Sequence, residues 1–363
     1  MSKRSNKQSK QELEKIARAQ HRNNFFKRLE NICELVGGKK VFNLIPTSEL
    51  ERIYNVRLQA PKIIAASNEK VEDSTVKYAI YLIASVLKIH KTQITSKNHV
   101  IALYDYYTVG LTFMLYLLAV KEDEFPKVGE LILKMYDLIS FPESYEIANE
   151  HMRGINQAFG NMISDLNKQM FWLHHTIEQS PDDKITQQNI IEIHTVFPEQ
   201  RQITIDGINR PVTLAGWCFP NYGFDKLTLQ PSVLGVDGPF STIPLDVFIQ
   251  NHAFIRLRER LDNVLIGFVH FSLFMSLKFP KIIRDKNNSI LIEFNFIGTK
   301  AGYLIVEITQ GIILIRTFLF LTQNGTPEGD KLEEICGLGK LDKKYLAIDK
   351  LSAFMTSGIG ANE

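Results

Sequence analysis

Cysteine is scarce: Cys33, Cys218 and Cys336 are the only three in 363 residues, and none sits in a CxxC pair. An odd, scattered set excludes a disulfide framework and a thiolate zinc centre. Charge of one sign is lacking too. The 42 Lys and Arg against 40 Asp and Glu leave +2, so the chain is no polycation. Any affinity for nucleic acid has to come from local patches. Long apolar runs are missing. The most apolar windows, YTVGLTFMLYLLAV (107–120) and NVLIGFVHFSLFMSLKF (263–279), fall short of the roughly 20 residues that span a bilayer. Asp105 and Lys121 bound the first and His270 interrupts the second. Both are expected to be buried helices, and no membrane partner is expected. The first residues, MSKRSNKQSKQELEK, lack the apolar stretch of a secretory signal. A reducing, cytoplasmic setting is the expectation. GxxxxGK[ST], GxSxG, HExxH and GxGxxG are absent, which removes the usual signatures of nucleotide-binding loops, serine hydrolases and zinc proteases.

What is present falls into two textures. Residues 1–30 carry nine basic side chains against three acidic ones. The first ten lack apolar content and are expected to be disordered. From Gln11 the spacing of Leu13, Ile16 and Ala17 predicts a helix. The basic arm is either a nucleic-acid contact or a solvated tail. Residues 45–180 read as helical. Apolar residues recur at three and four in the windows 76–90, 99–121, 126–140, 143–160 and 162–178. Glu51 follows Thr47 and Ser48 in a near capping box, and Pro126 and Pro142 mark helix starts. SPDD at 180–183 is a turn and a linker candidate.

After about 190 the chain alternates. RQITIDG and RPVTLAGW (201–217) predict a hairpin, followed by a loop-rich stretch. Helices are expected over 246–261 and 263–278. Then come the β-like runs KIIRD, ILIEFNFI, YLIVEIT and IILIRTFLFLT, the last two joined by Gln310-Gly311 at hairpin length. A helical stretch is expected over 341–355. The fold class expected is therefore α+β: an all-α helical domain over 1–185 with a basic amino-terminal arm, then an α+β domain over 190–363 with an antiparallel sheet.

Chemistry concentrates in NHAFIRLRERLD (251–262). On a helix, His252, Arg256 and Arg260 are spaced by four and line one face, with Glu259 beside them. Ala253, Phe254, Leu257 and Leu261 fall on the opposite arc. A histidine exchanges protons near neutral pH, and arginines one turn apart fork onto phosphate oxygens. The alternative is a surface helix whose arginine charge Glu259 partly offsets. Arg316 stands in an otherwise apolar strand and cannot be buried alone. With Gln310-Gly311 as the turn, Glu307 faces Leu314 and lies diagonal to Arg316. That reads either as a structural ion pair or as Arg316 reaching toward the helix stripe.

The order HAxxRxxxR helix, second helix and meandering sheet resembles the small RelE- and BrnT-type toxin ribonucleases. NHAFIRLRERLD, NVLIGFVHFSLFMSLKF, KIIRD, ILIEFNFI, GYLIVEIT and IILIRTFLFLT carry the resemblance, over roughly 246–322. Leu261 stands where BrnT-like proteins often have glycine, and the helical part has no counterpart in them. The resemblance implies metal-free RNA cleavage by the 2′-hydroxyl. His252 or Glu259 would serve as base or acid, with Arg256, Arg260 and Arg316 on the phosphate. Thr317 and Thr322 would be substrate contacts and Lys300, in the GTKAG loop, an extra cation. The expected partner is RNA or another phosphate-bearing ligand, and no cofactor is expected. The alternative is a non-catalytic interaction or regulatory protein, with a protein partner, in which Arg256 and Arg260 pair with internal carboxylates.

Two further stretches carry groups that could hold a ligand. In WLHHTIEQ (172–179), His174 and Glu178 share a helix face, and Glu146, Glu150 and His151 lie on an earlier helix. Helix bundles build metal sites from such groups. Adjacent histidines diverge, however, and ExxH does not recur, so no metal is expected. NGTPEGDKL (324–332) reads as a turn before a helix start, either plain or holding a ligand at the helix end.

Overall fold

The computed structural model describes residues 2–179 and 187–356. The turn expected at 180–183 lies outside them. The chain divides into two compact units, one of residues 1–156 with 174–193, the other of 157–173 with 194–363.

The amino-terminal unit is mainly helical. Its helices are α1 (Ser2–Gly37), α2 (Thr47–Asn55), α3 (Asp73–Ile89), the short α4 (Leu103–Asp105), α5 (Leu111–Ala119), α6 (Val128–Lys134), α7 (Tyr136–Ile139) and α8 (Glu143–Ile163), the last running on beyond the unit. The helix expected from Gln11 starts at Ser2, so residues 2–10 are helical rather than disordered. Tyr106–Gly110 forms a π-helical turn between α4 and α5, with all five residues buried. Strands interrupt the expected all-helical run. They are β1 (Lys62–Ala65), the hairpin of β2 (Lys91–Gln93) with β3 (Val100–Ala102), and the long β4 (Met170–Gln179) and β5 (Gln187–Val196). β1, β5 and β4 form a three-stranded sheet in that order, with β1 parallel to β5.

The window 162–178 is therefore not a helix. MFWLHHTIEQ is aromatic and β-branched, and Met170, Phe171 and Leu173 are buried while Trp172 and His174 are half-buried. Period-two patterning outweighs the occasional four-residue spacing.

In the carboxy-terminal unit, β6 (Gln200–Ile205) and β7 (Ile208–Leu214) form the expected hairpin, closed by Asp206 and Gly207 at φ 50° and 75°. β8 (Gly216–Phe219) pairs with β9 (Gly223–Lys226), and β10 (Thr228–Leu229) with β11 (Leu245–Gln250). Then come α9 (Asn251–Arg260), α10 (Ile266–Lys278), β12 (Ile282–Arg284), β13 (Ile290–Phe296), β14 (Thr299–Thr309) and β15 (Ile312–Phe320). The chain continues through α11 (Pro327–Cys336), α12 (Lys340–Tyr345) and α13 (Leu351–Thr356). The expected helix over 246–261 is half strand: LDVFIQ is β-branched and aromatic and inserts into the sheet as β11, and only from Asn251 does the helical period take over.

The main sheet has the order β12-β13-β14-β15-β11-β7-β6. It is mixed rather than antiparallel, because β11 lies parallel to β15. The intervening α9, α10 and β12–β14 supply the long crossover that a parallel neighbour needs. Two cores cover its faces. On one, Ala253, Phe254, Leu257, Val269, Leu273 and Leu277 of α9 and α10 pack on Val247, Ile249, Leu304, Val306, Ile313 and Ile315. On the other, Ile203, Ile205, Val212, Leu214, Phe248, Ile312 and Leu314 cluster, with the Arg201 guanidinium 3.8 Å over Phe248. Among the described residues no helix is long and apolar enough to cross a membrane. All three cysteines are free, Cys33 and Cys218 buried and Cys336 exposed.

Candidate functional site

α9 is amphipathic as its spacing demands. Ala253, Phe254 and Leu257 are buried against the sheet, and burial of the two larger side chains stabilises the helix by about 1.5–3 kcal/mol each. The opposite face presents His252, Arg256 and Arg260 to a cleft of about 410 Å³. Thr317, Phe318 and Leu319 of β15 line it too, with Gln323 and Asn324. The carboxy-terminal segment completes the wall with Lys340, Leu341, Lys343, Lys344 and Asp349. Five cationic side chains thus face one carboxylate around a partly apolar floor.

The cations are held differently. Arg260 donates to Asp349, the two side chains being 12% and 6% exposed. Arg256 donates to Glu259 at 2.6 Å and, at 3.4 Å, to His252 Nε2. Lys343 is buried and committed, donating to Asn324 Oδ1 at 2.9 Å and to the Gly329 carbonyl at 2.7 Å. Lys340 and Lys344, on α12, are exposed. Partial burial lowers the His252 pKa and the Arg256 charge lowers it further; Glu259 opposes, and Arg210 adds a smaller lowering. The ring is therefore neutral at neutral pH and accepts at Nε2.

The carboxy-terminal segment is strapped to this surface at four points. Besides Lys343 and Asp349, the Ile348 carbonyl accepts from Thr322 Oγ1 at 2.8 Å. Asp262 accepts from the Ser352 backbone N–H at 3.0 Å and from its hydroxyl at 2.7 Å.

Other expected site residues lie elsewhere. Val306 pairs with Ile315 but Ile305 with Thr317, so Arg316 is the extra residue of a β-bulge. Before the bulge Ile313 and Ile315 face the α9 core; after it Phe318 and Phe320 do. Arg316 is left on the other face, where it donates to Glu307 at 2.9 Å and lies 3.7 Å from Asp206. Of the two readings of this arginine, the geometry takes the structural ion pair. Lys300 donates to Glu328 and lies 3.3 Å from the Tyr303 hydroxyl, away from the cleft lining. Thr322 is buried in the strap contact, and Glu259 is held by Arg256 outside the lining. The residues that the sequence reading left without a role are Lys340, Lys343, Lys344 and Asp349. The lysine spacing of three and four in KLDKKY is the signal that places the three lysines on one short helix.

His174 and Glu178 sit on β4, not on a helix, and His175 Nε2 lies 2.7 Å from Asn189 Oδ1. His151 meets His90 edge-on at 4.6 Å, and Glu150 lies 3.5 Å from Arg153. In NGTPEGDKL, Thr326 caps α11 by accepting from the Gly329 N–H at 3.0 Å, which gives the turn a structural role. No family model, no curated protein and no solved structure matches the chain.

Proposed function

We propose that the carboxy-terminal unit binds single-stranded RNA, or a similar phosphate-bearing ligand, in the cleft between α9 and the carboxy-terminal strap, as a non-catalytic interaction module. The observation that carries this reading is five cations and one carboxylate around a single cleft. Exposed Lys340 and Lys344 offer ammonium groups to backbone phosphates, and Arg256 offers the guanidinium donors that Glu259 does not take. Tyr345, 91% exposed beside Lys344, offers a face on which a base stacks. The pairing of Arg256 and Arg260 with internal carboxylates favours binding over cleavage, because these are the groups that transition-state stabilisation would use.

The second reading is a RelE/BrnT-like ribonuclease, favoured by one observation: a neutral imidazole, His252, lines the cleft as a general base would. Glu259 does not line it, so the proton for the leaving oxygen would come from a lysine. One experiment separates the readings. Fluorescence anisotropy with labelled single-stranded RNA is expected to show binding that weakens with salt, and K340Q and K344Q each reduce the slope of log K against log salt by about 0.7. RNA kept with concentrated protein is expected to stay intact. Cleavage that His252→Ala abolishes would establish the ribonuclease instead, and no binding at low salt would sink both readings.

A further inference from the structure

The amino-terminal unit has a polar cavity of its own, of about 300 Å³, independent of the cleft. Its walls come from three places in the chain. His21, Phe25 and Arg28 lie on α1, where positions seven apart return to one face after two turns. Arg57, Leu58, Gln59 and Ala60 follow α2, Tyr104 precedes the π-helical turn and Thr108 lies within it.

Arg28 is firmly seated. Its Nε donates to Asp105 at 2.6 Å, its terminal nitrogen donates to the Thr108 hydroxyl, and its guanidinium lies 4.8 Å over the Tyr104 ring. Arg57 is seated without being neutralised. It stacks 3.9 Å over Tyr54 and donates to the Tyr54 carbonyl at 2.6 Å, and among the described residues it meets no carboxylate. Most of its five N–H donors therefore remain for another acceptor. His21 Nδ1 sits 3.0 Å from the Tyr54 hydroxyl, which leaves Nε2 for the cavity side. Burial depresses the His21 pKa first, and the charges of Arg57 and Arg28 depress it further. His21 thus feels both arginines, of which Arg28 is paired with Asp105 and Arg57 meets no carboxylate among the described residues. A guanidinium that is oriented by an aromatic face and lacks an acid partner is preorganised for an external oxyanion.

We propose that this cavity is a phosphomonoester site, with Arg57, Arg28 and His21 as donors to the phosphate oxygens. Three donors arriving from two segments, two from α1 and one from the stretch after α2, suit a tetrahedral group with several oxygens better than a planar carboxylate. The volume stands at the small end of ligand pockets and accommodates a phosphate with a compact organic part.

Isothermal titration of the full chain with inorganic phosphate, adenosine 5′-monophosphate and malonate tests this at low salt. The same titrations on the R256Q/K344Q protein keep the cleft's own attraction for phosphate apart. The expected result is a phosphate-dependent heat that R256Q/K344Q leaves within twofold and that R57Q weakens at least tenfold. His21→Asn, which leaves both arginines in place, should weaken it threefold or more, and decides the matter if R57Q fails to fold. Tighter binding of the nucleotide than of inorganic phosphate assigns an organic phosphate, and equal binding assigns free phosphate. Absence of heat, binding that survives R57Q and His21→Asn, loss in R256Q/K344Q instead, or malonate binding more tightly than phosphate would each overturn the proposal.

Discussion

Asp349→Asn sets two consequences of the cleft against each other. Asp349 is 6% exposed and Arg260 12% at the side chain, so the pair is nearly buried. Removing one charge from such a pair costs about 3–5 kcal/mol when the other is left stranded. Here Arg260 also lines the cleft, and water entering there solvates it. The carbonyl of residue 349 stays 3.4 Å from Arg260 Nη1, and the strap keeps its Lys343, Thr322–Ile348 and Asp262–Ser352 anchors. The loss should therefore fall near the lower bound, about 2–3 kcal/mol. Urea unfolding reads it directly. RNA binding should move the opposite way. A released Arg260 adds one phosphate contact, which steepens the salt slope by about 0.7 and raises affinity about threefold to tenfold at low salt. Arg260→Gln should weaken RNA binding and stability together. An Asp349→Asn protein that is as stable as the parent, or that binds RNA more weakly, refutes the idea that this carboxylate holds a ligand-binding guanidinium.

Two more outcomes follow from residues outside the cleft. His270 is fully buried; its Nδ1 accepts from the Leu166 N–H at 3.1 Å and lies 3.5 Å from Asp165, and burial takes its pKa down from 6.5 to about 4, with Asp165 opposing and Arg258 reinforcing the shift. The ring is neutral when folded and protonated when unfolded between about pH 4 and 6.5, so the unfolded chain binds more protons there. Stability is fully present above 6.5 and falls by up to about 3 kcal/mol as pH drops through that window. Urea midpoints should trace this fall, and His270→Asn should flatten it; a variant with the parent's slope would assign the dependence elsewhere. Arg316→Gln should leave RNA affinity and its salt slope unchanged while costing about 0.5–1 kcal/mol from the part-exposed pair with Glu307; a tenfold loss of RNA binding would show that Arg316 reaches the ligand after all.

The legible parts of this chain were those fixed by local period and turn chemistry. The α9 stripe follows from four-residue spacing, and the β14–β15 hairpin from Gln310-Gly311, both in the left-handed region at φ 48° and 74°. The same reasoning placed Glu307 opposite Leu314, as found. Three features escaped it for definite reasons. β4 carries apolar residues at spacings common to both periods, and sheet pairing with β5 decides. β11 joins directly to α9 with no glycine or proline between them, so nothing local marks the change from strand to helix. The bulge at Arg316 comes from a register shift between two strands, which the sequence of either strand alone does not encode.

That bulge has a consequence for how the cleft is built. Without the extra residue, the residues after Ile315 that point toward α9 would be the odd-numbered ones, and Thr317 and Leu319 would occupy the core that Phe318 and Phe320 fill. With it, the two phenylalanines close the core, and Thr317, Phe318 and Leu319 line the cleft where the carboxy-terminal strap crosses. Arg316 lies on the far face beside Glu307 with or without the shift, and so offers the α9 side no guanidinium. The cationic character of the cleft therefore rests on α12, some 80 residues beyond α9 in sequence, and on a strap that the Arg260–Asp349 pair fastens. Ligand and strap meet at that pair: a phosphate that takes Arg260 must displace Asp349, while the strap's other anchors keep Lys340 and Lys344 at the cleft.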